Sequence, residues 1–152
     1  MHKIFVYAIG KKEHKCYECV YEELIKNAKK YATIEVVDIF NKKINQAQSG
    51  GLAKESYTQA LEPYLKEDRL NIALHPKAKE LDSLEFAELF KEQSKIAFFI
   101  GGAYGFEDRF LERCDAKLSL SRLTMSHKIA KMVLLEQIFR ALTIVHNHPY
   151  HK

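Results

Sequence analysis

The sequence has few of the residues that mark disulfide-braced or membrane-spanning proteins. Its 152 residues include three cysteines, an odd number that argues against a framework of disulfides. No stretch approaches the roughly 18–20 consecutive apolar residues that a membrane-spanning helix requires. The opening M-H-K-I-F-V-Y-A-I-G is too short and too strand-like for a secretory signal peptide. We therefore expect a cytoplasmic protein with no membrane partner.

Strong charge bias, internal repeats and linkers are missing as well. The chain has 24 basic and 20 acidic residues, a net charge of +4, which allows a local basic patch but does not prove nucleic-acid binding. Its hydrophobic content of 47% and charged content of 29% are ordinary for a globular protein. Because no low-complexity tract or linker divides the chain, we expect residues 1–152 to form one domain.

Short apolar segments alternate with segments of helical periodicity along the chain. The apolar segments predict strands over residues 3–9, 33–40, 70–74, 95–100 and 116–120. The periodic segments predict helices over residues 16–31, 52–66, 83–93, 107–113 and 127–145. This alternation predicts an α/β domain with a mainly parallel sheet of five to six strands.

Local signals refine the boundaries of these elements. Pro63 is expected to end or kink the helix that begins at residue 52. Asp82, with Glu85 three residues later, comes close to a capping-box pattern. Residues 41–51 are polar and contain two glycines, so they predict a surface loop, and His75-Pro76 predicts a departure from regular structure.

A glycine-rich segment, G-G-A-Y-G at residues 101–105, follows a predicted buried strand and precedes a helix. Ligands of α/β proteins bind at the carboxyl ends of strands, and glycine lets the backbone approach a ligand closely. The pattern is neither the dinucleotide-binding fingerprint nor a P-loop. It therefore indicates either a ligand-binding loop or simply a tight turn from strand to helix.

A second unusual segment, L-S-L-S-R-L-T-M-S at residues 118–126, begins as a strand that hydroxyl residues interrupt. A loop rich in backbone donors and acceptors and lined by Leu and Met suits a purine and an amino-acid-like ligand. The alternative is a strand followed by a helix that Thr124 or Ser126 caps. Both interpretations can hold together.

Two groups of potential metal ligands give only weak signals. His146, His148 and His151 lie close together in sequence, but a short histidine tract is only compositional evidence. Cys16 and Cys19 form one C-x-x-C with no second pair, which is too few ligands for a structural zinc site. We therefore expect no metal site.

Four segments together resemble the ribosomal RNA large subunit methyltransferase H family, within the SPOUT superfamily of α/β-knot methyltransferases. They are F-F-I-G-G-A-Y-G, L-S-L-S-R-L-T-M-S-H, L-L-E-Q-I-F-R-A and the terminal N-H-P-Y-H-K. The resemblance implies an S-adenosylmethionine-dependent enzyme that methylates N3 of a pseudouridine in helix 69 of 23S ribosomal RNA, in the assembled ribosome. It also implies a homodimer and a deep trefoil knot in the C-terminal part of the chain, a rare exception to unknotted folds.

The same resemblance implies the site residues. Cofactor-binding positions would be Leu74, Gly101, Leu120, Ser121, Arg122, Leu123, Thr124 and Met125. Positions near the methyl acceptor would be His127, Arg140, Tyr150 and His151. The sequence departs from the family's usual pattern in having Ser126 in place of proline, His75 in place of an acidic residue and Tyr104 in place of glutamate.

The terminal residues lead to a hypothesis about chemistry. The N3–H of a uracil-like ring must lose its proton, and Tyr150 or His151 is expected to orient the base or help remove that proton. Arg140, with the lysines at 128, 131 and 152, is expected to hold phosphates, although the helix pattern alone would favour a solvated face for Arg140. A transfer RNA substrate, a non-catalytic ribosome-binding role and a nucleotide-binding regulator remain alternatives.

Overall fold

The computed structural model describes all residues from 1 to 152, and its centre is one five-stranded sheet. The strands are β1 (His2–Ile9), β2 (Ala32–Ile39), β3 (Leu70–Glu80), β4 (Lys95–Ile100) and β5 (Ala116–Ser119). Their order across the sheet is β2-β1-β4-β3-β5, and every neighbouring pair is parallel. The predicted α/β class and parallel sheet are confirmed.

Five α-helices lie between the strands and a sixth follows the last strand. They are α1 (Lys15–Ala28), α2 (Lys42–Gln46), α3 (Gly50–Leu61), α4 (Ser83–Glu92), α5 (Asp108–Arg113) and α6 (His127–Val145). Helix α3 ends before Pro63, which lies in a short 3-10 turn, as its missing N–H requires. Asp82 and Glu85 form both hydrogen bonds of the predicted capping box, each 2.8 Å long.

The two faces of the sheet bury separate apolar cores because side chains alternate along each strand. On β4, Ile96 and Phe98 face the core formed with α1, α4 and α6, whereas Ala97 and Phe99 face the core formed with α3 and α5. Strand β1 divides its side chains in the same way. Burial on both faces explains why these strands read as continuous apolar runs.

The prediction of an irregular loop over residues 41–51 was wrong. Asn41 caps α2 by accepting a hydrogen bond from the Ile44 N–H at 2.9 Å, and Ser49 caps α3 through the Leu52 N–H at 3.2 Å. Side-chain caps of this kind satisfy backbone donors that would otherwise be orphaned at a helix start. Polar residues that suggested a loop are therefore the signals that begin two helices.

The expected end of regular structure at His75-Pro76 was also wrong. Strand β3 continues to Glu80, because the extended backbone that proline imposes on the preceding residue is compatible with a strand. The pairing of β3 with β5 nevertheless shifts register between Leu74 and Lys79. Residues 75–78 therefore form an irregularity in the pairing, the kind of feature that redirects side chains at the edge of a site.

Helix α6 crosses the molecule and has different neighbours along its length. Its 19 residues span roughly 28 Å at 1.5 Å per residue. Near its start, Lys131 is only 1% exposed and forms an ion pair with Asp38 at the end of β2. Lys131 is therefore not available to a phosphate, contrary to the prediction.

Beyond α6 the chain folds back on itself. Asn147 adopts a left-handed conformation with φ of 55°, which asparagine tolerates better than most residues, and the His148 N–H bonds to the Thr143 carbonyl at 2.9 Å. Residues 146–152, which form the tail of the chain, consequently lie beside the last turns of α6. None of the helices combines the length and the apolarity needed to cross a membrane. The trefoil knot stays a prediction.

Candidate active site

A cavity of about 730 Å³ opens at the carboxyl ends of β3, β4 and β5. Three loops surround it: the irregular part of β3, the glycine-rich segment after β4 and the hydroxyl-rich segment after β5. The Ser119 hydroxyl joins two of these walls, since it lies 3.2 Å from the Pro76 carbonyl and 2.9 Å from the Ser121 carbonyl. The location matches the general rule for ligand sites in open parallel sheets.

The glycine-rich wall depends on close packing with α3. Gly105 has φ of +79°, and its N–H bonds to the Gly102 carbonyl at 3.0 Å, which closes the turn. A Cβ on Gly102 would overlap the ring of Tyr57 on α3, 2.5 Å from its hydroxyl oxygen. Because Tyr57 is itself buried, position 102 has no room for a side chain. The segment is therefore a tight turn and a cavity wall at once.

The hydroxyl-rich wall is held by its own serine. The Ser121 Oγ accepts a hydrogen bond from the Leu123 N–H at 3.0 Å, which shapes the segment between β5 and α6. Ser126 occupies the N-cap position of α6, but its side chain makes no capping hydrogen bond. Of the two interpretations of this segment, the structure shows a cavity wall that leads directly into a helix start.

Positive charge surrounds His75 at the cavity. Burial lowers the pKa of the His75 imidazole, and the charges of Lys77 and Lys117 lower it further, whereas Asp108 raises it. The cavity therefore has a neutral imidazole in its wall with cationic side chains nearby. His75, Tyr104 and Ser126, the three departures from the family pattern, all line the cavity.

The cavity brings together most of the predicted cofactor positions. Those that line it are Leu74, Gly101, Leu120, Ser121, Leu123, Thr124 and Met125. Arg122 is the exception, because it is not among the lining residues. Leu123 is 78% exposed, an unusual state for a leucine beside a ligand cavity.

Of the four predicted acceptor-site residues, only His127 lies at the cavity. Its Nε2 lies 2.6 Å from the carboxylate oxygen Oε1 of Glu13, in the loop between β1 and α1. A Cβ on Gly10 would lie only 3.2 Å from the same Nε2, so the backbone of β1's end packs against the ring. Glu13 was missed by sequence reasoning because no motif connects that loop to α6.

Arg140, Tyr150 and His151 form a separate cluster at the other end of α6. Both Nε and NH2 of Arg140 bond to the Glu136 carboxylate, at 3.1 and 2.7 Å, and its NH1 lies 3.2 Å from the His151 Nδ1. The Tyr150 hydroxyl donates to the same carboxylate at 3.1 Å. The predicted acceptor site is thus not assembled within one chain.

This cluster also has characteristic electrostatics. The hydrogen bonds to Glu136 raise the pKa of the Arg140 guanidinium, which keeps it charged. Burial, followed by the hydrogen bond to Glu136, raises the pKa of the Tyr150 phenol. A phenol in this environment is a hydrogen-bond donor at neutral pH and a poor proton acceptor.

The histidines and cysteines do not form a metal centre. No group of three or more His, Cys, Asp or Glu side chains is placed to hold an ion. His146 bonds to the Leu142 carbonyl at 2.8 Å and packs on Tyr31, whereas His151 contacts Arg140. His14 caps α1 next to Cys16, so this C-x-x-C segment is a helix start.

Comparison with known proteins identifies the family. The family model described as "Predicted SPOUT methyltransferase" matches residues 2–151. The chain belongs to this family. It is 61% identical over 153 aligned residues to the ribosomal RNA large subunit methyltransferase H of a Nitratiruptor species, with all of both chains covered. The same-named protein of a Sulfurovum species is 50% identical over 153 residues, covering 99% of each chain. The resemblance noted in the sequence is therefore confirmed.

The fold is shared with a more distant solved structure. The ribosomal RNA small subunit methyltransferase E of Neisseria gonorrhoeae, bound to S-adenosyl methionine, superposes with a TM-score of 0.54 at 9% sequence identity. The superposition covers 95% of this chain and 66% of that one. At this identity the likeness concerns the fold alone. It places the five-stranded parallel sheet of this family member among methyltransferase folds.

Proposed function

We propose that this protein transfers a methyl group from S-adenosylmethionine to N3 of a pseudouridine in helix 69 of 23S ribosomal RNA, in the assembled cytoplasmic ribosome. Two relatives that match it over essentially their full length carry the name ribosomal RNA large subunit methyltransferase H. Full-length matches at this identity support the same reaction class and the same kind of RNA substrate. The acceptor atom and nucleotide are proposed from the family resemblance.

The cavity at the ends of β3, β4 and β5 is the observation that carries this proposal. Its volume of about 730 Å³ falls within the range typical of small-molecule sites. Leu74, Leu120 and Met125 supply apolar surface for a purine, and the closely spaced loops present backbone donors and acceptors to polar groups. These residues fit S-adenosylmethionine, which when bound supplies a methyl group on a positively charged sulfur.

Within this proposal the chain's own side chains orient the methyl acceptor and accept the proton that it loses. Alignment of the acceptor with the methyl group lowers the barrier by several kcal/mol, on the order of what positioned intramolecular reactions achieve. The raised pKa of Tyr150 favours an orienting hydrogen bond from its hydroxyl over proton removal. His127, at the cavity, is the better placed of the two to receive a proton.

A homodimer would unite the two halves of the site. His127 lies at the start of α6 and Arg140 13 residues later, roughly 20 Å along the helix axis. Exposed apolar side chains near the cavity, Leu123 at 78% and Ile129 at 38%, suit coverage by a second copy. We therefore propose that the tail of one chain reaches the cavity of its partner.

The charged side chains suggest how RNA would be held. Lys54, Lys77 and Lys117 surround His75 near the cavity, and none forms an ion pair within the chain. Arg140, by contrast, is neutralised by Glu136. Lysines of this kind bind phosphates without reading sequence and position the RNA on the protein.

The test is methyl transfer followed by mapping of the product. Purified protein would be incubated with isotopically labelled S-adenosylmethionine and, in parallel, with ribosomes, free 23S RNA or transfer RNA. We expect label on helix 69 of ribosomes and little on the other substrates. Label on transfer RNA would replace the proposed substrate, whereas calorimetric binding of S-adenosylmethionine without any transfer would favour a non-catalytic role.

A further inference from the structure

We propose that Glu13 is a positioning residue that fixes the tautomer and ring orientation of His127, so that Nδ1 of His127 is a proton acceptor at the cavity. This inference rests on the proposed methyltransferase function and adds a residue that lies far from every segment of the family resemblance. Its basis is the contact between two elements, the β1–α1 loop and the first turn of α6.

The contact between the two side chains is short. Nε2 of His127 lies 2.6 Å from Oε1 of Glu13. The Glu13 side chain is only 12% exposed, whereas that of His127 is 41% exposed, so the carboxylate is the shielded partner and the imidazole stays accessible at the cavity. His127 is the only ion-pair partner of Glu13, so the carboxylate is directed at this ring.

Glu13 is itself fixed by its neighbours. Its backbone N–H donates a hydrogen bond of 2.9 Å to the Glu18 carboxylate on α1, which holds the loop at the helix start. Gly10, with φ of +143°, allows the end of β1 to lie against the imidazole, where a Cβ would meet Nε2 at 3.2 Å. The ring of His127 is therefore held by a carboxylate and by backbone, both outside α6.

The chemistry of the contact determines the tautomer. An ionised carboxylate has only acceptor atoms and would repel a lone pair on Nε2 at 2.6 Å, so the contact favours the proton on Nε2, and the neutral ring then keeps its lone pair on Nδ1. Nδ1 of His127 has no hydrogen-bond partner within the chain, and the ring lines the cavity. A carboxylate that orients an imidazole in this way is a recurring arrangement around catalytic histidines.

The proposed proton transfer balances without another reactant. The N3–H bond of the pyrimidine breaks, its electron pair stays on N3 for bonding to the methyl carbon, and the proton goes to Nδ1 of His127. The resulting imidazolium is stabilised by Glu13 until it releases the proton to water. S-adenosylmethionine, when bound, would supply the methyl group and leave as a neutral thioether that keeps the electron pair of the S–CH₃ bond.

The experiment compares Glu13→Ala and Glu13→Gln in the full-length protein, each in the presence and absence of His127→Ala. We expect Glu13→Ala to lower kcat on the order of tenfold to a hundredfold, the usual cost of losing a group that orients a functional histidine, while KM and the calorimetric Kd for S-adenosylmethionine change little. Glu13→Gln, which keeps a hydrogen-bond acceptor, should recover part of that loss. Glu88→Ala, which removes an exposed ion pair on α4, is the matched control and should leave kcat unchanged.

The His127→Ala background distinguishes positioning from a structural role. If Glu13 acts through His127, Glu13→Ala should cost nothing further once the imidazole is gone. An equal cost in both backgrounds, or an unchanged kcat in the single variant, would overturn the proposal.

Nitrogen NMR of the His127 ring gives a second readout that needs no substrate. The proton should reside on Nε2 in the wild-type protein and should distribute between both nitrogens in Glu13→Ala. If the wild-type protein methylates no RNA, the proposed function fails, but this spectrum still tests the positioning. A proton on Nδ1 in the wild-type ring would overturn it.

Discussion

The cavity and the tail differ in how completely a single chain builds them. The cavity has its walls in place: the irregular part of β3 meets the segments after β4 and β5, and His127 contacts Glu13 there. The tail, in contrast, places Tyr150 and His151 against Glu136 and Arg140, far along α6 from the cavity. One region is an open cavity with its walls in place and the other is a set of groups bonded to each other.

This difference teaches how a small chain can divide binding and chemistry. The single five-stranded sheet places all of its cavity-lining loops on one side of the cavity. Helix α6 connects both regions, with its first turns anchored at the cavity and its last turns holding the tail. Two-fold association, the commonest symmetry of soluble oligomers, would bring a cavity from one chain to a tail from the other.

The largest expected effect is a loss of stability when the ion pair between Lys131 and Asp38, near the start of α6, is broken. Asp38→Ala leaves Lys131, which is 1% exposed, as a buried charge without its carboxylate. Removing one partner of a buried pair costs about 3–5 kcal/mol, and we expect the lower end because Asp38 is partly exposed. Chemical denaturation measures this loss. Lys91→Ala, which breaks an exposed pair with Glu88, is the control and should change stability little. Similar stability of both variants would show that α6 is not anchored there.

A smaller effect on stability is expected from adding a side chain at Gly102. In Gly102→Ala the added methyl group overlaps the Tyr57 ring, so the loop must move, at a cost of about 1–3 kcal/mol. Calorimetry should show weakened binding of S-adenosylmethionine as the cavity wall shifts. Gly51→Ala is the matched control, because no atom lies within 4 Å of its Cβ. On helix α3 it should be neutral or stabilising by up to about 1 kcal/mol. Normal cofactor binding by Gly102→Ala would contradict the importance of this wall.

Tail substitutions should separate turnover from binding. The double variant Tyr150→Phe, His151→Ala should bind S-adenosylmethionine normally, since neither residue lines the cavity. Its turnover on ribosomes should fall about tenfold or more, equivalent to roughly 1.4 kcal/mol in the barrier. Calorimetry and labelled methyl transfer measure the two quantities. Unchanged turnover would remove the tail from the proposed chemistry.

Mixing the defective chains gives a sharper version of the same test. Combined with Gly102→Ala, the tail variant should form some dimers in which an intact cavity meets an intact tail. Activity of the mixture should then exceed that of either variant alone. A mixture that is no more active than its components would contradict a site shared between chains.

The architecture followed from local patterns because strands and caps are encoded in neighbouring residues. The apolar run at β4 and the Asp82 capping box were both predicted and are both present. The loop prediction for residues 41–51 failed because the residue types that cap helices also form loops. Which of the two roles such a residue takes depends on whether nearby backbone N–H groups need a hydrogen-bond partner.

The candidate site was predictable only where a continuous segment forms it. The hydroxyl-rich segment contributes consecutive residues to the cavity, so a motif could identify it. Glu13 and His127 lie at opposite ends of the sequence and meet only because β1 ends beside the start of α6. The separation of Tyr150 from the cavity is likewise a tertiary property, and no local pattern encodes it.

The smallest effect contrasts a cavity histidine with a tail histidine. Because burial and the nearby lysines lower the pKa of His75 below its usual value of about 6.5, the unfolded chain binds more protons than the folded one just below that pH. Stability due to neutral His75 is therefore present above about pH 6.5 and is lost as the pH falls toward the folded-state pKa.

Thermal melting from pH 7.5 to 5 should show a weaker acid destabilisation in His75→Gln than in the wild-type protein. His148→Gln, on the exposed tail, is the control for replacing a histidine with glutamine. If the melting temperature depended on pH equally in all three proteins, the cavity would not disfavour a charged imidazole. The cavity and the tail would then not differ in their effect on a histidine's charge.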